Sequence, residues 1–544
     1  MVYYTNILFD FGRTNMQMYF IRVYIIFFLF LPTFGFAQSI LQQYHMPPLE
    51  RVKYSDNEKV KKHFEKARVL KRAQTVPIQF TTIEDPRTYQ TNLRKHIQAQ
   101  LPQLNNDIPH IAFNGDKTSA LNQLLATLST AHIIDLQGQT IEVDEPLILP
   151  ANILLDGHNA VLMSTQAHFA SVIIKQPHVG LVNLTIETVG LGIQVANTQQ
   201  VILRNIHIPK SDRGITILGK SQFIELDQIF IQNPQAGIMI QGDVSNLWLH
   251  NSEVSNATRA DNGGSALLIT DAKLNPNIEA MSSAGALTEF IFPINHPAPH
   301  ALLIENNRFV NSVAQGVYID GGYGNVIKQN FIADNDKEGM CLDFGSVNNI
   351  VMENTFLRNG NRARQTDEDL KHDLVFDFGR LADGSSASKL PAIALDNAAQ
   401  NIILWNIIRD SGGDGIKIVR TGIRNFFLFN TIMDNNRGQN SRLHFFGILL
   451  GSAGLEPDID PNNHPLDFLP PMENIVAGNM IYGAHWAGIL LDHEAAYNDI
   501  YDNMARHYLH YPLETAFVYH NSIVGNAWQP NTPPKKWWWQ KLLQ

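Results

Sequence analysis

Short apolar strands separated by turns recur along the chain from Ile133 onward. A small residue followed by alternating apolar positions, as in GVYID, GMCLD and GIKIV, begins each repeat. Uninterrupted repeats start 22 or 23 residues apart, for example at Gly192 and Gly214 and at Gly316 and Gly339. This period suits a coil of three short strands that stacks on the next coil at ~4.8 Å. A β-sandwich has no such fixed period and a propeller blade needs about 40 residues, so the pattern predicts a parallel β-helix.

A second column of polar residues runs through the same repeats. Its members share an Asn, or once an Asp, at a turn that precedes an apolar strand. They are Asn183, Asn205, Asp227, Asn251, Asn307, Asn330, Asn354, Asn406, Asn430, Asn479 and Asn503. An Asn that recurs at one turn can bond to the Asn above and below it, which satisfies an amide that the stack would otherwise bury unpaired.

An amphipathic helix is predicted just before the repeats, over residues 118–130. Leu121, Leu124, Leu125 and Leu128 follow an i, i+3, i+4, i+7 spacing and therefore share one helical face. No coil of a solenoid buries its core alone, so the ends of the stack need caps. We expect this helix to cover the N-terminal end of the stack.

The N-terminus carries the features of an export signal. Arg22 precedes an almost wholly apolar run at 23–36, and the small residues Gly35 and Ala37 occupy the two positions that a signal peptidase reads. We expect cleavage of residues 1–37 and a secreted or periplasmic protein. An uncleaved anchor is the alternative, although the run is short for a span. No other stretch is long enough to cross a membrane, so no stable transmembrane span is expected after cleavage.

Composition narrows the classes of partner. The chain is 44% hydrophobic and 17% charged, which suits a packed protein. A formal net charge of -10 argues against nucleic acid, because a phosphate-backbone binder needs a basic face. The single cysteine, Cys341, excludes an intramolecular disulfide and a cysteine-based zinc site. We expect a monomer.

The cap helix, the opening strands around GQTIEVDEPLILP and the Asn-bearing coils resemble the pectate-lyase-like superfamily of right-handed parallel β-helices. The likeness covers about residues 117–527, between a polar, partly helical N-terminal extension (38–116) and a C-terminal tail (528–544). This superfamily includes lyases, glycoside hydrolases, epimerases and non-catalytic surface proteins, so the resemblance implies the fold and leaves the reaction open. The Asp-Pro-His motif of β-helical alginate epimerases is missing, as are the paired Asp-Asp and Gly-His-Gly signatures of polygalacturonase-type hydrolases.

A line of carboxylates is predicted on the strand that opens each coil. In the segment GVYID at 316–320, alternation directs Tyr318 and Asp320 outward. The same register aligns Asp343 and Asp396 with Asp320, at ~5 Å from coil to coil. Carboxylates this close raise one another's pKa unless a cation shares them, so these three aspartates are candidate ligands of calcium. The alternative is structural, because Asp often caps turn amides where a strand ends.

Basic residues follow on the same face and complete a candidate site for an acidic polysaccharide. Lys417 lies one coil beyond Asp396, and Arg420 follows the end of that strand. In β-elimination, Lys417 would remove the C5 proton of a uronate, Arg420 would neutralise its carboxylate, and Asp396 would act beside them. We therefore expect a polysaccharide lyase that cleaves a uronate-containing polymer.

Two other functions stay open. A glycoside hydrolase could use paired aspartates of the same line, since the spacing of neighbouring coils suits a retaining pair and the next-coil spacing approaches the inverting range. A non-catalytic surface protein or adhesin could bind glycans on this face without any chemistry.

Further candidates for holding the sugar are aromatic, basic or histidine side chains near the line or in the excursion at 361–390. They are Tyr318, His372, Arg380, Trp486 and His493. Tyr318 could also protonate a leaving oxygen, and Trp486 could stack on a sugar ring or pack as part of an edge. Similar long excursions interrupt the period at about 272–299 and 452–472, and such departures from a regular scaffold are often functional.

Overall fold

The computed structural model describes most of the chain between residues 85 and 528. The described residues are 85–102, 108–271, 298–361 except 344, 390–435 except 397 and 419–421, 445–451, 471–508 except 484 and 493–494, 511–515, 518 and 521–528. Two compact units are distinguished, Met1–Pro47 with Gln79–Tyr89, and Pro48–Ile78 with Gln90–Gln544. Every contact given below lies within the second unit. The expected signal peptide, 1–37, is outside the described residues.

Parallel strands stack into two large sheets. One sheet has 13 strands in the described part of the chain, each from a successive coil. Its strands are Leu147–Leu149, Ala170–Ile174, Leu191–Ala196, Ser211–Leu218, Pro234–Gln241, Leu267–Thr270, Val317–Asp320, Met340–Asp343, Ile393–Leu395, Ile416–Ile418, Phe446–Leu450, Ala487–Leu491 and Tyr511–Thr515.

The other large sheet has 25 described strands, because each coil contributes two short strands or one long strand that covers both positions. Strands at the first position, including the long ones, are His110–Ala112, His132–Asp135, Ile153–Ser164, Val179–Thr188, Gln199–Ile208, Gln222–Gln232, Ser245–His250, Leu303–Glu305, Val326–Lys328, Ile350–Met352, Ile402–Leu404, Phe426–Leu428, Ile475–Ala477, Asp499–Tyr501 and Ser522–Val524. Strands at the second position are Thr140–Glu142, Glu253–Ser255, Arg308–Val310, Phe331–Ala333, Thr355–Leu357, Ile407–Arg409, Thr431–Met433, Met480–Tyr482, Met504–Arg506 and Ala527–Trp528. Ala398–Ala399 and Gly422–Ile423 form a separate pair.

The alternation of apolar residues builds the core. Ile193, Ile215 and Ile238 are register neighbours in three successive coils, and none of them is accessible to solvent. One continuous apolar cluster extends in this way from Phe113 to Ile500. Each coil is closed by the coils above and below it, so its stability depends on its neighbours.

Two long ladders of asparagines run through the later coils of the described chain. One consists of Asn325, Asn349, Asn401, Asn425, Asn474, Asn498 and Asn521, and the other of Asn307, Asn330, Asn354, Asn406, Asn430, Asn479, Asn503 and Asn526. At a typical rung, both the backbone N–H and Nδ2 of Asn354 donate to Asn406 Oδ1 at 3.0 Å. Asn406 Nδ2 in turn donates to Val351 O at 2.9 Å. The ladders therefore satisfy backbone and amide groups that the stack buries.

The asparagine column shifts by one residue between Asn251 and Asn307. Asn251 has φ 50° and Asn306 has φ 56°, so these two residues occupy the same left-handed turn position. Ser252, the next residue, donates its backbone N–H to Asn307 Oδ1 at 3.0 Å. Asp227 lies one residue before the left-handed turn position, since its register partners are Arg204 and His250. The predicted column is therefore wrong at Asp227, and its other members form two columns that are offset by one residue.

The predicted cap helix is present as Thr118–Ala126, four residues shorter than expected. Leu121 and Leu125 are buried on the face that the spacing predicts. Ser119 donates its backbone N–H to Asp144 Oδ1 at 2.9 Å, which places a carboxylate at the helix N-terminus. Burial alone would raise the pKa of Asp144, but hydrogen bonds from Ser119 and Thr118 lower it to about 2.

A second helix, Pro86–Gln100, belongs to the predicted N-terminal extension. From this helix, Gln90 Nε2 and Arg94 Nη2 donate to Glu305 Oε2 at 2.9 and 2.5 Å. Trp248 Nε1 donates to the other oxygen of Glu305 at 2.9 Å. A 3-10 turn at Asn262–Gly264 is the remaining described helical element. None of the described helices combines the length and the hydropathy that a bilayer span requires.

One coil is absent from the sequence pattern. The strand Leu267–Thr270 lies between Pro234–Gln241 and Val317–Asp320 in the 13-stranded sheet. Its repeat begins at Ala266, which is 29 residues after Gly237 instead of 22 or 23, so the period did not reveal it. The strand of this coil therefore adds one more outward-facing residue to the line, one coil before Asp320.

Candidate functional site

Three aspartates stand in one line on the outward side of the 13-stranded sheet. Asp320 and Asp343 are register partners in adjacent strands. Asp396 continues the line, because its backbone N–H donates at 2.8 Å to the carbonyl of Leu342, the residue before Asp343. Thr270 holds the same position one coil before Asp320. Successive members are one coil apart, at ~4.8 Å.

The aspartates point away from the apolar interior and are nevertheless buried. Asp320 is 3% exposed, and Asp343 and Asp396 are each 7% exposed. Alternation along a strand separates inward from outward side chains but does not report what packs against the outer side, so the sequence led us to expect an exposed line. Burial weakens the screening by water, which strengthens both the repulsion between these carboxylates and their attraction for a cation.

Tyr318 joins the line through its hydroxyl group, which donates to Asp343 Oδ2 at 2.8 Å. Its ring packs in a column with Leu268 and Cys341. Burial raises the pKa of the Tyr318 hydroxyl well above its usual value, and the carboxylates of Asp343 and Asp320 act in the same direction. Tyr318 therefore holds its proton at neutral pH and has it aimed at a carboxylate of the line.

Cys341 is the register partner of Tyr318 and is 7% exposed. Burial raises the pKa of its thiol well above the usual value, and the negative charges of Asp343, Glu338 and Asp396 add to the effect. The thiolate is the reactive form of cysteine, so this thiol is a weak nucleophile and a weak metal ligand at neutral pH.

Lys417 lies in the column of Tyr318, three coils further on. Its register partners are Ala394 in the preceding coil and Leu449 in the following coil, both apolar. The side chain is half-buried. Lys417 therefore stands one coil beyond Asp396 on the same outward side, as the repeat predicts.

Sequence reasoning missed Asp414, which comes three residues before Lys417. Asp414 is 4% exposed, and its Oδ1 accepts a hydrogen bond from the backbone N–H of Phe446 at 2.6 Å. Burial raises the pKa of Asp414 to about 6, although the charge of Lys417 and the Phe446 N–H act in the opposite direction. The available signal was an Asp directly before the Gly that starts a repeat, in GGDGIKIV.

Trp486 lies two coils beyond Lys417, where it is half-buried. It packs against an apolar cluster of Phe446, Ala487 and Leu490. The ring thus takes the edge-packing role considered from the sequence. Contact with a sugar stays a prediction.

Several predicted site residues cannot be placed, because they lie outside the described part of the chain. These are Arg420, His372, Arg380 and His493. Among the described residues, no group of three or more His, Cys, Asp or Glu side chains is arranged to hold a metal ion. The aspartate line supplies oxygen donors of the kind that calcium prefers, but these side chains alone do not assemble a coordination sphere.

The stacked coils and the parallel register define a β-helix, and comparison with known families gives its hand. A family model described as "right handed beta helix region" matches residues 297–463. The chain is therefore a right-handed parallel β-helix protein, which confirms the fold that the repeat and the resemblance predicted. A second family model, described as "periplasmic copper-binding protein (NosD)", matches residues 171–374. No curated protein matches the chain.

Several solved structures are similar to the chain at low sequence identity. The A-module of a mannuronan C-5 epimerase from Azotobacter vinelandii is 14% identical with a TM-score of 0.41, over 76% of this chain and 94% of that chain. A periplasmic alginate epimerase is 12% identical with a TM-score of 0.38, over 73% of this chain and 84% of that chain. The catalytic unit of a thermostable α-1,3-glucanase from Streptomyces thermodiastaticus is 13% identical with a TM-score of 0.43, over 80% of this chain and 70% of that chain.

Proposed function

We propose that this protein is a polysaccharide lyase that cleaves a uronate-containing polymer on the outward side of the 13-stranded sheet. The observation that carries the proposal is the aspartate line with a proton donor bonded to it and a lysine on the same face. Tyr318 donates to Asp343 at 2.8 Å, and Lys417 follows three coils beyond Tyr318. This set offers a base and a run of oxygen ligands in successive coils.

The proposed reaction is β-elimination. The amine of Lys417 takes the proton from C5 of a uronate, and the electron pair left on C5 forms a C4=C5 double bond. The bond from C4 to the glycosidic oxygen breaks, and a proton from water goes to that oxygen. Tyr318 lies three coils from Lys417, about 14 Å, so its hydroxyl instead holds Asp343 in place.

The carboxylate of the uronate must be neutralised for its C5 proton to become acidic enough. We propose that Asp320, Asp343 and Asp396 hold a calcium ion together with the carboxylate of the polymer. Such an ion would withdraw negative charge from the uronate. Because the described side chains alone do not form a closed site, the polymer would supply the missing ligands. Arg420 is the proposed second contact of the uronate carboxylate.

Hydrolysis is the second candidate reaction, and the register of the aspartates favours it specifically. Asp320 and Asp343 are one coil apart, which suits a retaining pair of carboxylates. In that case Lys417 would only help to bind an acidic sugar.

Copper binding is a further candidate, supported by the match of residues 171–374 to the NosD family model. The "periplasmic" in that description also fits our proposal of a periplasmic or secreted protein. A copper site built on Cys341 is disfavoured, because the pKa of this thiol is raised well above its usual value by burial and by nearby carboxylates.

The proposal is tested by absorbance near 235 nm, where the new double bond absorbs, with purified protein on a panel of uronate polymers. We expect a rise that Lys417→Ala slows by about 100-fold or more, the loss typical of a removed general base. The matched control is Lys175→Ala, since Lys175 is an exposed lysine that follows the strand Ala170–Ile174 of the same sheet. Its rate should equal that of the unmodified protein. A chelator should lower the rate if calcium is required.

Other outcomes reassign the function. New reducing ends without absorbance, lost in Asp343→Asn, would replace elimination by hydrolysis. If no polymer yields either product, while one of them still binds, the protein is a glycan-binding β-helix without catalysis. If copper binds with a defined stoichiometry and no polymer binds, copper binding becomes the favoured function.

A further inference from the structure

The last coil in the described part of the chain is stacked on one side only. Ser522–Val524 and Ala527–Trp528 are the last described strands at the two positions of the 25-stranded sheet. Each of them pairs with a strand of the preceding coil, and no described strand lies on its other side. Such an edge presents a row of backbone N–H and C=O groups to whatever lies beyond it.

The side chains at this end of the stack are apolar. Ile523 is 38% exposed, whereas its register partner Ile500, at the same core position one coil earlier, is inaccessible to solvent. Leu513 and Trp528 pack against the core cluster but are only partly buried. The side chain of Ile523 is therefore exposed because no described coil covers it, and the surface at this end is a cross-section of the core.

The opposite end of the stack has a cap. The helix Thr118–Ala126 contributes Leu121 and Leu125 to the core cluster, and neither side chain is more than 2% exposed. A solenoid needs such a cap at both ends, because the coils at its ends have a neighbour on one side only. The end at Ile523 therefore requires an apolar partner of its own.

The segment 529–544 follows this end directly, since Trp528 is the last residue of the last described strand. Its sequence, QPNTPPKKWWWQKLLQ, contains three tryptophans, two leucines and three lysines, and it has no acidic residue. Residues 529–536 can span up to ~26 Å when extended, which exceeds the ~10 Å between two packed sheets. The tryptophans at 537–539 can therefore reach Ile523.

An acidic group of the same coil complements the charge of this segment. Glu514 belongs to the strand Tyr511–Thr515 and is half-buried. Its Oε2 is inaccessible to solvent and has no hydrogen-bond partner among the described residues. A carboxylate oxygen that is removed from water without a partner is costly, and a lysine of the segment 529–544 would supply both a donor and a positive charge.

We propose that residues 529–544 cap the C-terminal end of the β-helix. The tryptophans at 537–539 cover the apolar side chains of Ile523, Leu513 and Trp528, and a lysine of the segment pairs with Glu514. The cap also prevents the edge of this coil from pairing with a second copy of the chain, which is the hazard of an uncovered edge. This role concerns the stack alone and does not depend on the proposed reaction.

Hydrogen exchange of the full chain, measured by mass spectrometry, tests the cap. In the triple variant Trp537→Ser, Trp538→Ser and Trp539→Ser, we expect the amides of Ser522–Val524 to exchange about tenfold faster or more, because large apolar side chains no longer cover this strand. Gln540→Ser is the matched control, since it changes a polar residue of the same segment and should leave these rates unchanged. The strand Ala170–Ile174 should exchange equally in all of these proteins, which verifies that the variants are folded.

Carbodiimide cross-linking, which joins a carboxyl group to an amine in contact with it, identifies the partner of Glu514. An equal mixture of ¹⁴N- and ¹⁵N-labelled protein distinguishes links within one chain from links between two copies. We expect a link from Glu514 to Lys535, Lys536 or Lys541 that joins residues of the same label and is absent in Glu514→Gln. Links that join the two labels would overturn the proposal and make a second copy the occupant of this end.

Unchanged exchange of Ser522–Val524 in the triple variant would contradict the cap as well. Vesicles of phosphatidylcholine and phosphatidylglycerol then test the remaining occupant, because tryptophan beside lysine also suits a lipid surface. Sedimentation of the unmodified protein with these vesicles, together with loss of sedimentation in the triple variant and unchanged exchange, would assign the tryptophans to a membrane surface instead of the stack.

Discussion

Burial shifts the pKa of Asp414 and the pKa of His485 in opposite directions for the same physical reason. Both side chains are almost inaccessible, at 4% and 1% exposure, and burial penalises the charged form of each. For Asp414 the penalty raises the pKa to about 6, and for His485 it lowers the pKa to about 4. His485 is therefore neutral in the folded protein at neutral pH. Its Nε2 accepts a hydrogen bond at 3.2 Å from Nδ2 of Asn435, which belongs to the preceding coil.

His485 should make the protein sensitive to acid. Its pKa is near 6.5 when unfolded and about 4 when folded, so its contribution to stability is complete above pH 6.5 and is lost as the pH falls toward 4. From pH 7 to pH 4.5 this loss is on the order of 2 to 3 kcal/mol. His485→Gln keeps a side-chain acceptor and does not titrate, so its free energy of unfolding should fall less over this interval. Urea denaturation at both pH values measures the difference.

A suitable control is His178→Gln, because His178 is exposed and its substitution should leave the pH dependence unchanged. If His485→Gln and the unmodified protein lose equal stability between pH 7 and pH 4.5, the buried neutral histidine is not the acid-sensitive group.

At the scale of single elements, the sequence was most informative where one residue type has one structural task. Asparagines such as Asn330 and Asn354 recur at the coil period because each rung must satisfy the same backbone groups, so the fold could be predicted from them. The offset between Asn251 and Asn307 could not be predicted, since an excursion separates them and both positions accept Asn. Only the backbone φ angle and the bond from Ser252 distinguish the two positions.

The docking of the helix Pro86–Gln100 depends on Glu305, which is 2% exposed and bonded to Gln90, Arg94 and Trp248. We expect Arg94→Met and Glu305→Gln each to destabilise this contact. In a double-mutant cycle, the two changes should show a coupling of about 1.5 to 3 kcal/mol, as for a hydrogen bond to a charged group. Hydrogen exchange of the helix amides measures the local loss.

Lys95→Met provides the matched control, because Lys95 is the neighbouring basic residue of the same helix and is exposed. It should leave the exchange rates unchanged. Additive effects of Arg94→Met and Glu305→Gln would show that the ion pair does not hold the helix.

At the scale of the whole molecule, the coil period predicted where a side chain lies in the stack but not whether it is buried. The repeat placed Asp320, Asp343 and Asp396 in one line and Lys417 beside it, because a solenoid converts spacing in sequence directly into stacking in space. The repeat did not indicate that the line is buried. Burial depends on the residues that cover the outer side of the sheet, and those residues do not follow the coil period. Asp414 was missed for a related reason, because it lies in a turn, where alternation assigns no side.

The stacking also means that the position of a rung along the solenoid should decide what its loss costs. Asn406 is fully buried within the stack, and its replacement by Ala removes the hydrogen bonds that it makes with Asn354 N–H, Asn354 Nδ2 and Val351 O. Asn526 accepts the equivalent pair of bonds from Asn503, but it is the last described rung and is only half-buried, so water can replace it.

We expect Asn406→Ala to lower the free energy of unfolding by about 3 kcal/mol or more, and Asn526→Ala by less than about 1 kcal/mol. Denaturant unfolding followed by circular dichroism gives both values, and hydrogen exchange should show the Asn406→Ala loss spreading to the coils on both sides. Equal costs at the two positions would mean that the ladder contributes little beyond the apolar core, and that the coils are held together by burial alone.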